Sequence, residues 1–351
     1  MAEATNVGQA LARFLRRDDV VSHYKYEPDD VTSFLLTRRN LVPRQHDAVR
    51  LIGRVLAAHR KEALLTAVAE LARVEAAIHQ LQPHVRDHVV HAVLSYLLGI
   101  WINERFFAQG HQVHPFEWKL AGLLHDIGYP VEIGSSTMGA FSSEINRIEH
   151  RLCPRRTPRV LFLVRPVGFE RLTRGRSALA LLQDRLVEWN VNVDVRHEYR
   201  RMMRTGRICH GMLSSVAMLY VIDLMYYRQN PTGAGQNDLI ADPRWNQTYF
   251  DRHVVSAAAA IFVHNLPKAS FGGGKLSRRE ATLAFLLRLS DSMQDWDRPS
   301  GDVPLGFSSS LYQLKISVGQ LTLSADIPQE RKDRIRREIN AVLLSRGIRV
   351  Q

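Results

Sequence analysis

The sequence predicts a mostly α-helical protein that ends in a short β-hairpin and one further helix. Three observations lead there. Apolar residues recur every three or four positions through most of the 351-residue chain, the period of an amphipathic helix. Alternation of period two stands out at 311–327, on either side of Gly319. Several helical stretches are apolar except for an imidazole or carboxylate near one end, and a polar group in such a place needs a partner.

Bulk properties narrow the class. At 45% hydrophobic, the chain can bury one or two large cores. It holds no run of about 18 apolar residues, so no membrane span is expected. Residues 1–6 lack the charged-then-apolar form of a signal peptide. Two cysteines, Cys153 and Cys209, do not make a disulfide framework, and a cytoplasmic location is expected. The net charge of +12, with arginine well ahead of lysine, favours a phosphate-bearing partner, nucleotide or nucleic acid. A solvated basic face would give the same balance.

In chain order, residues 6–16 and 29–40 read as short helices. From 44 to 81 the apolar positions keep a helical period with charges opposite, a long helix or helical hairpin open to packing on the next helix or to a second copy of the chain. His46-Asp47 lies in a polar setting there and reads as surface. Pro83 opens a helix over 84–107 that carries His91, with Asp87 and His88 one turn earlier as its hydrogen-bonding support. The stretch 118–130 is an apolar helix ending on His125-Asp126, with Gly128 and Pro130 as its stop. A capped helix terminus or a metal ion would satisfy both polar groups.

Residues 131–208 form an insert that begins with small residues. It continues as a helical piece over 141–152 and a strand-like run at 160–164, and is dense in arginine throughout, either a basic substrate wall or a solvated surface. His210 starts the next apolar helix, in which Gly211 and Ser214 permit close approach. Residues 229–247 read as loop. His253 and His264 are eleven residues apart on an alanine-rich helix and are expected to share a face, with His264 at its end. Phe271-Gly-Gly-Gly-Lys275 reads as a loop without the strand a phosphate loop requires. Ser277 and Glu280 suggest a capping box for a helix over 279–296, where Asp291 interrupts an apolar face and Gln294 and Arg298 follow along the same side. The hairpin at 311–327 and an amphipathic helix over 329–346 complete the chain.

The inward-facing polar residues are then His91, His125, Asp126, His210, His264 and Asp291, ligand types suited to Mn, Fe, Co, Ni or Zn. Their order resembles that of the HD superfamily of metal-dependent phosphohydrolases, over about 83–298. His210 and His264 resemble the additional ligands of its two-metal members, and Asp291…Arg298 is similar to the last motif of HD-type dinucleoside polyphosphate hydrolases. The resemblance implies an HD-type helical core over 83–300, interrupted by the insert and flanked by a helical region at 1–82 and the hairpin and helix at 301–351. It also implies one metal on His91, His125, Asp126 and Asp291, and a second on His210 and His264 with Asp126 bridging. Cleavage of a nucleotide's phosphoester or phosphoanhydride by a metal-activated hydroxide would follow, with Asp126 and Arg298 catalytic and Arg298 and Lys268 on the substrate. Three neighbouring readings stay open: a single-strand nuclease, a nucleotide-binding module without turnover, and a di-iron oxygenase. Two departures stand out. Tyr129 occupies the place where many relatives of that superfamily have a phosphate-gripping lysine, and Cys209 the place of an aspartate.

Overall fold

The computed structural model describes residues 6–36, 41–58, 73, 87–152, 166–229, 247–296, 311–344 and 346–351. The expected strand at 160–164, residues 230–246 of the expected loop at 229–247, most of the helix beyond 58, Arg298, and the expected boundaries at 82 and 300 lie outside these residues; Gln229 and Gln247, the ends of that loop, are helical.

The chain is mostly helical. Helices α1 (Val7–Leu15), α2 (Asp18–Tyr24), α3 (Pro28–Leu36) and α4 (Leu41–Ala57) form an N-terminal layer. Of these, α1 and α4 pack on α5 (His88–Phe106), whose sixteen buried positions go nearly all round, as suits a central helix. Polar ties fix the layer: Tyr24 donates to Glu104 at 2.9 Å and receives from Asn103 at 2.7 Å. His46 is on the surface, as its setting suggested.

Helix α6 (Pro115–Leu124) starts with a proline in its first turn, where a missing N–H costs nothing, and stops at His125. The tight turn 125–128 leads straight into α7 (Tyr129–Leu152). This corrects one expectation: Pro130 ends no helix but sits in the first turn of the next one. The small residues at 134–139 continue that helix.

The described part of the insert is likewise helical, with α8 (Ala178–Glu188) and α9 (Val195–Thr205), each capped by a side chain, Ser177 and Asp194 respectively. Next come α10 (His210–Gln229) and α11 (Val255–His264). α11 lies against α6, α8, α10 and α12 (Thr282–Met293). Its four alanines, Ala257 to Ala260, are fully buried, and their small side chains let those helices approach.

The capping box expected before α12 is absent: Glu280 accepts from Asn190 at 3.3 Å, and Ser277 turns back to the N–H of Arg279. Strands β1 (Tyr312–Ser317) and β2 (Gln320–Ala325) pair antiparallel around Gly319, whose φ of +68° suits glycine. A third strand, β3 (Ile348–Val350), joins β2 in parallel after α13 (Gln329–Val342). It was not expected from three residues at the chain's end. The unit is bolted to the core at Asp295, just past α12: its buried carboxylate accepts from Tyr312, Arg331 and Arg334. No single helix among the described residues is long and apolar enough to cross a membrane.

Candidate metal centre

Five helices bring their polar residues to one point. His91 lies in the first turn of α5, His125 and Asp126 directly after α6, His210 at the start of α10, His264 at the end of α11, and Asp291 near the end of α12. Helix ends converge here because glycine lets them. A Cβ on Gly128 would lie 2.8 Å from the carbonyl oxygen of His210 and 2.9 Å from the amide of Ser214, and the Gly128 N–H donates to Ser214 Oγ at 2.8 Å. A Cβ on Gly211 would lie 2.8 Å from the His264 ring. The small residues read from the sequence at 211 and 214 therefore do the expected job.

Asp126 is the hub. Its Oδ2 faces His125 Nε2 at 3.4 Å and His91 Nε2 at 4.0 Å. Its Oδ1 faces His210 Nε2 at 3.2 Å and His264 Nε2 at 3.8 Å. Asp291 Oδ1 lies 2.8 Å from His91 Nε2.

Each imidazole is held by its other nitrogen. His125 Nδ1 donates to the Gly122 carbonyl at 3.0 Å and His264 Nδ1 to the Ile261 carbonyl at 2.6 Å. His210 Nδ1 donates to Glu132 Oε2 at 2.7 Å, and the same oxygen takes the His210 backbone N–H at 2.6 Å. His91 Nδ1 donates to Gln294 Oε1; the Gln294 amide is oriented for this because its Nε2 donates to the Trp296 carbonyl. With every Nδ1 donating, four Nε2 atoms face two carboxylates, as lone pairs wherever the ring is neutral. Lone pairs facing carboxylate oxygens repel unless a cation stands between them, and His125 Nε2 is fully buried with no hydrogen-bond partner. Held imidazoles around a carboxylate are the usual arrangement of metal ligands.

The charge pattern agrees. Burial holds the His125 imidazole down at about 4, so it is neutral and available as a ligand. Burial alone would raise the Asp126 carboxyl, but His125, His210 and His264 outweigh it and keep it well below the usual carboxylate range. His210 goes the other way: burial opposes its charge, yet Asp126 and Glu132 hold it well above the usual histidine range. Without a metal, a proton on His210 fills part of the gap a cation would fill.

Two triads have donor atoms within 4.8 Å of one another, His91–His125–Asp291 and His125–Asp126–His264, so these buried groups could hold a metal ion. The two triads share His125 and leave out His210, whereas the oxygens of Asp126 divide the four histidines into pairs. His210 belongs to the centre through Asp126, to which its Nε2 makes the shortest histidine contact.

All six expected ligands are brought together. Three expectations of their surroundings change. Asp87 caps α5, accepting from the Val90 N–H at 2.8 Å, and it is Gln294 that holds His91 Nδ1. His253 does not share the inner face with His264. The π-helical turn Phe250–Val254 carries it, and the extra residue in that turn shifts the register. His253 turns to Glu117 Oε1 at 2.9 Å and lies against His114. The insert, finally, is no bystander, since Glu132 comes from its first helix. An acid in the first turn after Gly128-Tyr129-Pro130 is the sign by which it was legible. Tyr129 stacks on His88, with ring centroids 3.3 Å apart, and meets His210 edge-on. Lys268 lies exposed on the turn Lys268–Phe271 that follows α11.

No protein-family model matches the chain, and no curated protein or solved structure is significantly similar to it.

Proposed function

We propose that the protein is a cytoplasmic, HD-type metal-dependent phosphohydrolase that holds two divalent ions and cleaves a phosphoester or phosphoanhydride bond of a nucleotide-type substrate. One observation carries the reading: four imidazoles, each anchored through Nδ1, aim Nε2 at the two sides of Asp126 and at Asp291. In this reading His91, His125 and Asp291 hold one ion, His210 and His264 hold the other, and Asp126 bridges. When bound, a pair of ions of the Mn, Fe, Co, Ni or Zn type supplies an activated water and neutralises phosphoryl oxygens.

The chain's own part is positional. Gln294, Glu132 and the carbonyls of Gly122 and Ile261 fix the rings before any ion arrives. The apolar ends of α6 and α11 keep bulk water away from His125 and His264. Tyr129 cannot grip phosphate as a lysine does, so that role falls to Arg298, seven residues beyond Asp291, and to Lys268.

Metal analysis of the purified protein, followed by a screen of nucleotides with and without Mn, tests this. His125→Ala or Asp126→Ala abolishes bound metal and turnover while circular dichroism stays helical. His264→Ala loses one ion and keeps the other. A metal-free wild-type protein, or full activity in either of the first two variants, refutes the reading.

A further inference from the structure

α9 has two faces. Val195, Tyr199 and Met202 are buried, while Arg196, Arg200 and Arg204 stand in solvent at i, i+4 and i+8, one stripe with about 6 Å between successive residues. Arg207 follows just past the helix, also exposed. Among the described residues none of these four side chains makes an ion pair or a hydrogen bond, in contrast to Arg201, which is engaged by Glu198 at 2.5 Å. Four unneutralised guanidinium groups in a row raise each other's electrostatic energy, a cost that a polyanion removes.

The helix that carries the stripe ends against α7, which supports the metal centre. The Gly206 carbonyl accepts from Ser135 Oγ at 2.6 Å, and Ser135 lies three residues along α7 from Glu132, the residue that holds His210. One helical turn, about 4.5 Å of rise, separates Ser135 from Glu132, so the end of α9 is tied to the helix that supports a ligand. The centre is partly open here: the Glu132 and His210 side chains are 27% and 12% exposed, beside 19% for Asp291 and 0% and 1% for His125 and His264.

We propose that this stripe is a track for the phosphate backbone of single-stranded nucleic acid, which delivers one phosphodiester to the metal centre. The inference rests on the phosphohydrolase reading and narrows its substrate class to an oligonucleotide. An extended strand or a frayed end can present a single phosphate to a centre whose His125 and His264 are buried. A lone nucleotide would leave most of the stripe unused.

The test measures binding of a fluorescent oligothymidylate or oligouridylate of about twelve nucleotides, within the usual range of single-strand sites. Binding is read by anisotropy in excess chelator, so that it does not depend on bound metal. The triple variant Arg196→Gln, Arg200→Gln, Arg204→Gln should weaken binding at least tenfold. It should also flatten the slope of log K against log salt by about 2, from roughly 0.7 for each lost phosphate contact on a single strand. A control triple on the exposed face of the C-terminal unit, Lys315→Gln, Arg337→Gln, Arg349→Gln, should do neither. Equal loss in both triples overturns the track, as does competition by thymidine monophosphate mole for mole, or tighter binding of duplex or of phosphatidylserine vesicles than of the single strand. Metal content of the wild type is measured alongside. A metal-free protein that still shows the arginine-dependent slope defeats the phosphohydrolase reading, whereas a metal-loaded protein that binds alike with and without the three arginines defeats the track.

Discussion

Gly211→Ala isolates how the centre is built. Gly211 is the second residue of α10, and a Cβ there would lie 2.8 Å from both Nδ1 and Cε1 of His264 and 2.9 Å from the Ile261 carbonyl oxygen. Ordinary contact begins at 3.4 Å, so the ring must retreat by about 0.6 Å. It cannot do so alone, because His264 Nδ1 is bonded to that same carbonyl. Two terms compete in stability. Alanine is favoured over glycine in a helix by up to about 1 kcal/mol. Overpacking a tight interior costs about 1–3 kcal/mol.

The net loss is therefore only about 0–2 kcal/mol, a few degrees of melting temperature at most. Metal binding is far less forgiving, since ligand distances are held within about 0.2 Å. The expected outcome is a folded protein, by circular dichroism and calorimetry, that has lost the ion held by His210 and His264, as read by elemental analysis after dialysis. Gly211→Ala with wild-type metal content and a wild-type melting temperature would refute the close approach on which the site's geometry depends.

Three further outcomes are expected. Gln294→Leu keeps the volume but removes the acceptor for His91 Nδ1, and metal affinity by competition with a chromophoric chelator should fall about 10–100-fold with helicity unchanged. Arg331→Met removes one of the cations that the fully buried Asp295 carboxylate accepts from; a broken buried pair costs up to about 3–5 kcal/mol, and the denaturant midpoint should drop accordingly. Lys119, buried on α6, has its ammonium pushed down to about 7 by burial, with Lys25 adding to the effect, against an ordinary value of 10.5. Between those values the unfolded chain binds more protons than the folded one, so stability rises with pH across that window. Lys119→Met should flatten the rise and stabilise the protein at pH 7 and below, by denaturant titrations across the window; an unchanged slope would count against a buried ammonium.

The local sequence already determined much of this protein. Helical spacing placed α5, α6, α10, α11 and α12. The period of two around Gly319 placed the hairpin, and an imidazole or carboxylate at the end of an apolar helix marked all six candidate ligands. Those signals are legible because burying a polar group without a partner is costly, so each such residue announces that something meets it. Tertiary structure decided which group meets which. Asp87 is a hydrogen-bonding acid one turn from His91, but the helix needed a cap, and it is Gln294, 203 residues away, that holds His91 Nδ1. His253 and His264 share a face on an ideal helix, and one π turn sends His253 to Glu117. Glu132 looked like part of a surface insert until α7 ran directly on from Asp126 and placed it under His210. Periodicity reports which side of an element faces inward; which partner waits there depends on the three-dimensional packing of segments far apart in the chain, and that is settled by the fold as a whole.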